Sequence, residues 1–190
     1  MKTINSRIGV QPIGYVDPTF LNSIISKVSD IYATVDINIS FMYVAPQPLP
    51  VPALAFNENY TKYHISPFFS LGSYLMSLSE KKIKDKSMKL DKLFLITSVP
   101  LYMDMYTPIL YGAADGGSPI SLVSTAELAH GTKEQSIERV SKEASRFIGS
   151  TFGLSQCWDP ECLMFACETL LDVDTKSLSF CDTCKSNIRT

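Results

Sequence analysis

Residues 142–164 read KEASRFIGSTFGLSQCWDPECLM: the last turns of a helix run through Gly153 into two cysteines and a methionine. Upstream, Ile137, Val140, Ala144, Phe147, Ile148 and Thr151 recur at helical spacing, which predicts an amphipathic helix over Glu134 to Phe152. Beyond it the cysteines fall in two pairs, Cys157-x4-Cys162 and Cys181-x2-Cys184, with Cys167 between them. Thiolate is a soft ligand that suits tetrahedral zinc, and two short loops from separated points of the chain can close a four-sulfur shell with no open position. The expected cofactor is therefore one structural zinc per chain on Cys157, Cys162, Cys181 and Cys184. Such an ion would fix the tail from Ser155 to Lys185 against the long helix, its binding energy becoming folding energy. The competing reading, ordinary buried cysteines, is disfavoured by the clustering in pairs. Cys167 has no partner and reads as a small buried hydrophobe.

Working outward, Arg7 to Gly14 has the alternating apolar pattern of a strand, and Asp17-Pro18 supplies an N-cap and first-turn proline for a helix to about Ala33. Phe20, Ile24, Val28 and Ile31 would form its inner face. Asp36 to Val44 reads as a second strand. Ala45 to Ala53, APQPLPVPA, cannot donate regularly to a sheet and is expected to be extended and irregular. Ser66-Pro67 opens a further helix, ending in the lysine-rich KKIKDKSMK, a solvated helix end and loop. Leu93 to Val99 is continuously apolar and so a central strand; Pro108 to Gly112 and Ile120 to Ser124 are two more. The predicted order is β-α-β-(irregular)-α-β-β-β-α and then the cysteine-bearing tail.

The 190 residues, 45% hydrophobic, suffice for one full core. With 17 basic against 19 acidic side chains there is no electrostatic footprint for nucleic acid or anionic lipid, which counts against a zinc-ribbon module that binds DNA. No apolar run approaches the length of a signal peptide or a membrane span. A soluble, cytoplasmic protein with no nucleic-acid or membrane partner is the expectation.

The run KEASRFIGSTFGLSQCWDPECLM, continued by FCDTCKSNI, resembles the signature of the archaemetzincins, a metzincin-clan family of zinc peptidases. Weaker similarity extends through IGVQPIGYVD, LFLITSVPLY, ILYGAADGG and ERVSKEA, so it covers most of residues 7 to 188. The resemblance implies a single metzincin-like α/β (α+β) domain over 1–190: a mixed, mainly parallel sheet flanked by helices (7–154) and a zinc-stapled C-terminal part (155–190). It also implies a Met-turn at Met164. In that family a helix bearing H-E-x-x-H-x-x-G-x-x-H precedes the cysteines. In this register Arg146 and Ser150 stand at the first two histidines, Phe147 at the catalytic glutamate and Gln156 at the third histidine. The family's zinc activates a water that the glutamate deprotonates, and none of these four side chains can take those roles. His64 and His130 are the only histidines, so no register yields three imidazole ligands.

The first functional reading is thus a catalytically inactive relative that keeps the fold and the cysteine zinc. It would hold a peptide or protein partner by strand addition near Pro108 to Gly112 and Ile120 to Ser124. Arg146, Ser150 and Gln156 are expected to converge as hydrogen-bonding groups beside Phe147. The alternative is a metallopeptidase or other hydrolase with non-standard site residues, for which the sequence offers no nucleophile motif.

Overall fold

The structure, a computed structural model, describes residues 3–82, 89–104, 109–114 and 117–188. Among the described residues, eight strands and five α-helices follow one another as β1 (Ile4–Ile13), α1 (Pro18–Ala33), β2 (Ile37–Tyr43), β3 (Phe56–Asn57), β4 (Lys62–His64), α2 (Ser66–Lys82), β5 (Lys92–Thr97), β6 (Leu101–Tyr102), β7 (Gly112–Ala114), β8 (Ile120–Ser124), α3 (Lys133–Thr151), α4 (Leu170–Thr175) and α5 (Asp182–Asn187). The main sheet has the order β2-β1-β5-β8-β7, parallel except for β7, which runs antiparallel to β8. Strands β3, β4 and β6 form a small second sheet.

The apolar run of β5 is explained by a helix on each face of the sheet. Phe94 and Ile96 pack into a core with α1, α3 and the tail, whereas Leu93 and Leu95 join Phe68 and Leu75 of α2. Helix α1 begins as the sequence specifies, the Asp17 carboxylate accepting the Phe20 N–H at 2.8 Å ahead of Pro18. Its Ile24, Val28 and Ile31 are buried, as expected, Phe20 is only partly so, and Tyr32 reaches across to donate its hydroxyl to the Ser145 carbonyl of α3 at 2.8 Å. The proline-rich connection is irregular, as its composition requires. Gln11, fully buried in β1, holds it: the amide nitrogen donates to the Gln47 carbonyl at 3.1 Å and the amide oxygen accepts the Ala45 N–H at 2.9 Å.

One expectation needs correction, and three short strands were not foreseen. The strand expected at Pro108 to Gly112 lies instead at Gly112–Ala114; Pro108 itself falls outside the described residues. Tyr111 turns inward, and at Gly112, where the strand begins, the Phe147 ring of α3 leaves no room for a side chain. The short strands β3, β4 and β6 carry too few residues for their alternation to register. Of the lysine-rich segment, residues 83–88 lie outside the described residues, and Lys89 pairs with Glu80 at 2.8 Å. No helix among the described residues is long and apolar enough to cross a membrane.

Candidate functional site

Helix α3 positions the site. A capping box at Thr132 and Gln135 fixes its start. Its end is a Schellman motif: Gly153, at φ +84°, follows the cap residue Phe152, with Gly153 N–H bonding the Ser150 carbonyl at 3.0 Å and Leu154 N–H the Gly149 carbonyl at 3.1 Å. Lys92 of β5 adds a cation at this negative helix end, donating to the Thr151 carbonyl at 2.7 Å and lying 4.2 Å from the centre of the Phe152 ring. The chain that leaves this turn delivers Cys157 and Cys162, and α5 carries Cys184 with Cys181 at its N-cap.

The four sulfurs lie within 4.8 Å of one another, and among the described residues they are the only group of three or more side chains suited to metal ligation. A tetrahedron with zinc–sulfur bonds of about 2.3 Å has edges of about 3.8 Å; Cys157 and Cys181 are 3.8 Å apart and Cys162 and Cys184 3.7 Å. Backbone N–H groups of Met164 and Cys181 point at the Cys162 sulfur at 3.4 and 3.3 Å, which favours a thiolate there. Met164 lies under α3: a Cβ on Gly149 would come within 2.7 Å of its sulfur. Cys167 stays apart from the cluster, its thiol directed at the Phe165 carbonyl at 3.7 Å, and burial followed by the charge of Glu143 pushes it up to about 11.

On the face of α3 turned toward the tail, the expected triad of Arg146, Ser150 and Gln156 does not assemble. The Arg146 guanidinium instead donates Nε and Nη2 to Glu143 Oε2 at 3.0 and 2.7 Å. Ser150 turns its hydroxyl to the Arg146 carbonyl at 3.4 Å, and Gln156 is exposed, lining a hollow of about 310 Å³ with Trp158 and Asn187. Phe147 is buried and lies beneath Arg146, whose Cζ is 4.1 Å from the ring centre. The ring presses on β7, where a Cβ on Gly112 would lie 2.6 Å from it.

Glu143 is the residue that the motif comparison overlooked. Fully buried, it also accepts from Lys176 at 2.5 Å, and the equally buried ammonium donates further to the Leu163 and Phe165 carbonyls at 3.1 and 3.3 Å. Burial pushes the Glu143 carboxyl up, but the charges and hydrogen bonds of Arg146 and Lys176 outweigh it and hold the group below the ordinary carboxylate value. A turn earlier, Arg139 forms a bidentate pair with Asp174 at 2.6 and 2.7 Å, and Lys142 donates to the Val173 and Asp174 carbonyls. The i, i+3 spacing of Glu143 and Arg146 was visible in sequence; Lys176, 33 residues away, was not. Nearby Tyr111 is buried with its hydroxyl unpaired, and burial together with the Glu143 charge raises it to about 12.

His64 and His130 give no ligand set. The His64 Nε2 lies 2.8 Å from the Met103 carbonyl, and the His130 carbonyl accepts from Arg139.

A sequence profile described as peptidase family M54 matches residues 9–190. Among curated relatives, the archaemetzincin of Methanopyrus kandleri is 34% identical over 116 residues, 60% of this chain and 64% of that protein. The archaemetzincin of Pyrococcus furiosus is 26% identical over 92% of this chain and 88% of its own length. The chain thus spans under two thirds of the first of these relatives and most of the second. Among solved structures, a zinc-dependent peptidase from Methanocorpusculum labreanum superposes with a TM-score of 0.79 at 20% identity, covering 95% of this chain and 99% of that one, a likeness of fold.

Proposed function

The chain belongs to peptidase family M54, the archaemetzincins, and from that premise we propose that it is a member without peptidase chemistry: a pseudopeptidase built on one structural zinc that binds extended peptide. The observation that carries this reading is what occupies the motif positions on α3. A catalytic zinc needs neutral imidazoles converging on a cation site with one position open to water. Arg146 brings a positive charge there and spends two of its donors on Glu143, while Ser150 and Gln156 point elsewhere. The Phe147 ring fills the space against Gly112. These residues do not fit the ion, and the buried carboxylate nearest them is already engaged by two cations. The four cysteines, by contrast, fit zinc as a closed shell with no site for water.

What remains usable is the outer edge of β7 at Gly112–Ala114, beyond the bridge that joins Leu110 to Leu101. Ser124 N–H bonds the Tyr111 carbonyl, so in this antiparallel pair the N–H and C=O groups of Gly112 and Ala114 point away from β8. No strand among the described residues pairs with that side of Gly112–Ala114. Beside it opens a groove of about 490 Å³ lined by Phe69, Ser70, Ser73 and Met103 as well as Ala113 and Ala114. A peptide added as a further strand would find backbone partners on β7 and side-chain room in the groove.

The test is a peptide library incubated with zinc-loaded protein, read for both cleavage and retention. Retention without cleavage, lost in Ala114→Pro because that variant removes an outward N–H, is expected. Zinc-dependent appearance of cleavage products would overturn the reading.

A further inference from the structure

The ion cluster on α3 is unbalanced. One carboxylate, Glu143, faces two cations, Arg146 and Lys176, in a region where burial makes uncompensated charge costly. The Lys176 ammonium has protein acceptors for all three of its protons: Glu143 and the carbonyls of Leu163 and Phe165. The surplus positive charge therefore resides on Arg146. Its Nε and Nη2 are engaged, both by the same Glu143 oxygen, whereas Nη1 has no hydrogen-bond partner among the described residues. The side chain keeps 16% of its surface exposed, and Nη1 is not among the buried side-chain atoms left without a partner. Packing fixes where it sits: the guanidinium lies on the Phe147 ring, and the ring lies on Gly112 of the open strand.

We propose that the outer edge of the Arg146 guanidinium is a carboxylate-binding position, at which a peptide lying on β7 presents its free C-terminal carboxylate or an acidic side chain. The identity of the occupant rests on the peptide-binding reading above; the carboxylate preference does not. A planar guanidinium with parallel N–H bonds still to make matches a carboxylate in charge and shape. The stack on Phe147 and the bonds to Glu143 hold it in one orientation, so little rotamer freedom is left to lose on binding. Where a peptidase of this family would polarise a peptide carbonyl, this chain offers a fixed monovalent cation, which suits an anionic end rather than a bond to be cut.

The experiment follows the Arg146 Nε–Hε resonance of the full chain during titration with acetate, with chloride at the same ionic strength as control. Affinities are then measured for one peptide as its free acid, as its C-terminal amide, and as the amide with one internal glutamate. A saturable acetate shift absent with chloride is expected, together with about tenfold tighter binding of at least one carboxylate-bearing peptide over the plain amide. Which of the two gains tells a chain terminus from a side chain. Arg146→Met should abolish the preference for the carboxylate-bearing peptide over the plain amide; Arg146→Lys, which keeps charge but not the fork, should retain part of it. An Arg146 resonance indifferent to acetate would overturn the proposal even if all three peptides bind, an outcome that leaves strand addition standing. An acetate shift with no peptide retained would uphold the carboxylate position and remove the strand-addition reading instead.

Discussion

Glu143 decides more of this site than any of the four motif positions. Replacing it with Ala leaves the Lys176 ammonium buried without a counter-charge, a change that costs about 3–5 kcal/mol in comparable pairs. Chemical denaturation should read a loss of that size. The same residue sets a pH dependence. Its folded carboxyl is held below the ordinary value, so its contribution is present above the unfolded value of about 4.3 and is lost as pH falls through the lower, folded one. The stability gap between the wild type and Glu143→Gln should therefore narrow as pH falls below about 4.3; a gap that widens on acidification would contradict the assignment. At this scale the i, i+3 spacing of Glu143 and Arg146 stood in the sequence, but the motif register drew Arg146 toward Ser150 and Gln156 instead. The sequence was silent where the partner came from the tail, as for Lys176, since charge complementarity across 33 residues leaves no periodic trace. The expected Arg146–Ser150–Gln156 cluster failed for the same reason: a buried carboxylate competes for a guanidinium better than a hydroxyl and an exposed amide do.

Elements were legible wherever a local device fixed them. Asp17-Pro18 and Gly153 mark one helix start and one helix end that the structure reproduces, and Ile120–Ser124 is a strand as expected. Strand β7 was misplaced because Gly-Ala-Ala is a poor strand sequence, and its first residue is a glycine where the Phe147 ring leaves no room for a Cβ. Gly112→Ala tests this. The added methyl would lie 2.2 Å from the Leu122 carbonyl oxygen and 2.6 Å from Phe147, so β7 or α3 must shift. A loss of about 1–3 kcal/mol is expected in thermal or denaturant unfolding, and Phe147→Leu in the same chain should recover part of it. Full stability in Gly112→Ala would mean that the ring does not press on the strand. The capping box of α3 makes a milder case: Thr132→Ala should cost about 1 kcal/mol.

Across the whole molecule, the tail is fastened twice. The cysteine cluster ties residues near Cys157 to α5, and the pairs of Arg139, Lys142 and Glu143 tie α4 and Lys176 to α3. The first fastening was legible from cysteine spacing and the resemblance; the second was not, because α3 reads as amphipathic while in the fold it is covered on nearly every side. The two should separate under chelation. Hydrogen exchange of the metal-stripped protein should deprotect the Cys157–Cys162 loop and α5 first, with Trp158, 84% exposed beside Cys157 and the only tryptophan, reporting the change in fluorescence. Simultaneous loss of α4 would show that the charge network does not hold alone. The most direct measurement is zinc per chain, by elemental analysis of protein purified without added metal and again after dialysis against zinc. One ion in both samples, lost in Cys184→Ser, is the expected result; a second ion bound per chain would mean that a catalytic site forms on α3 after all, contradicting the proposal that this family member lacks peptidase chemistry.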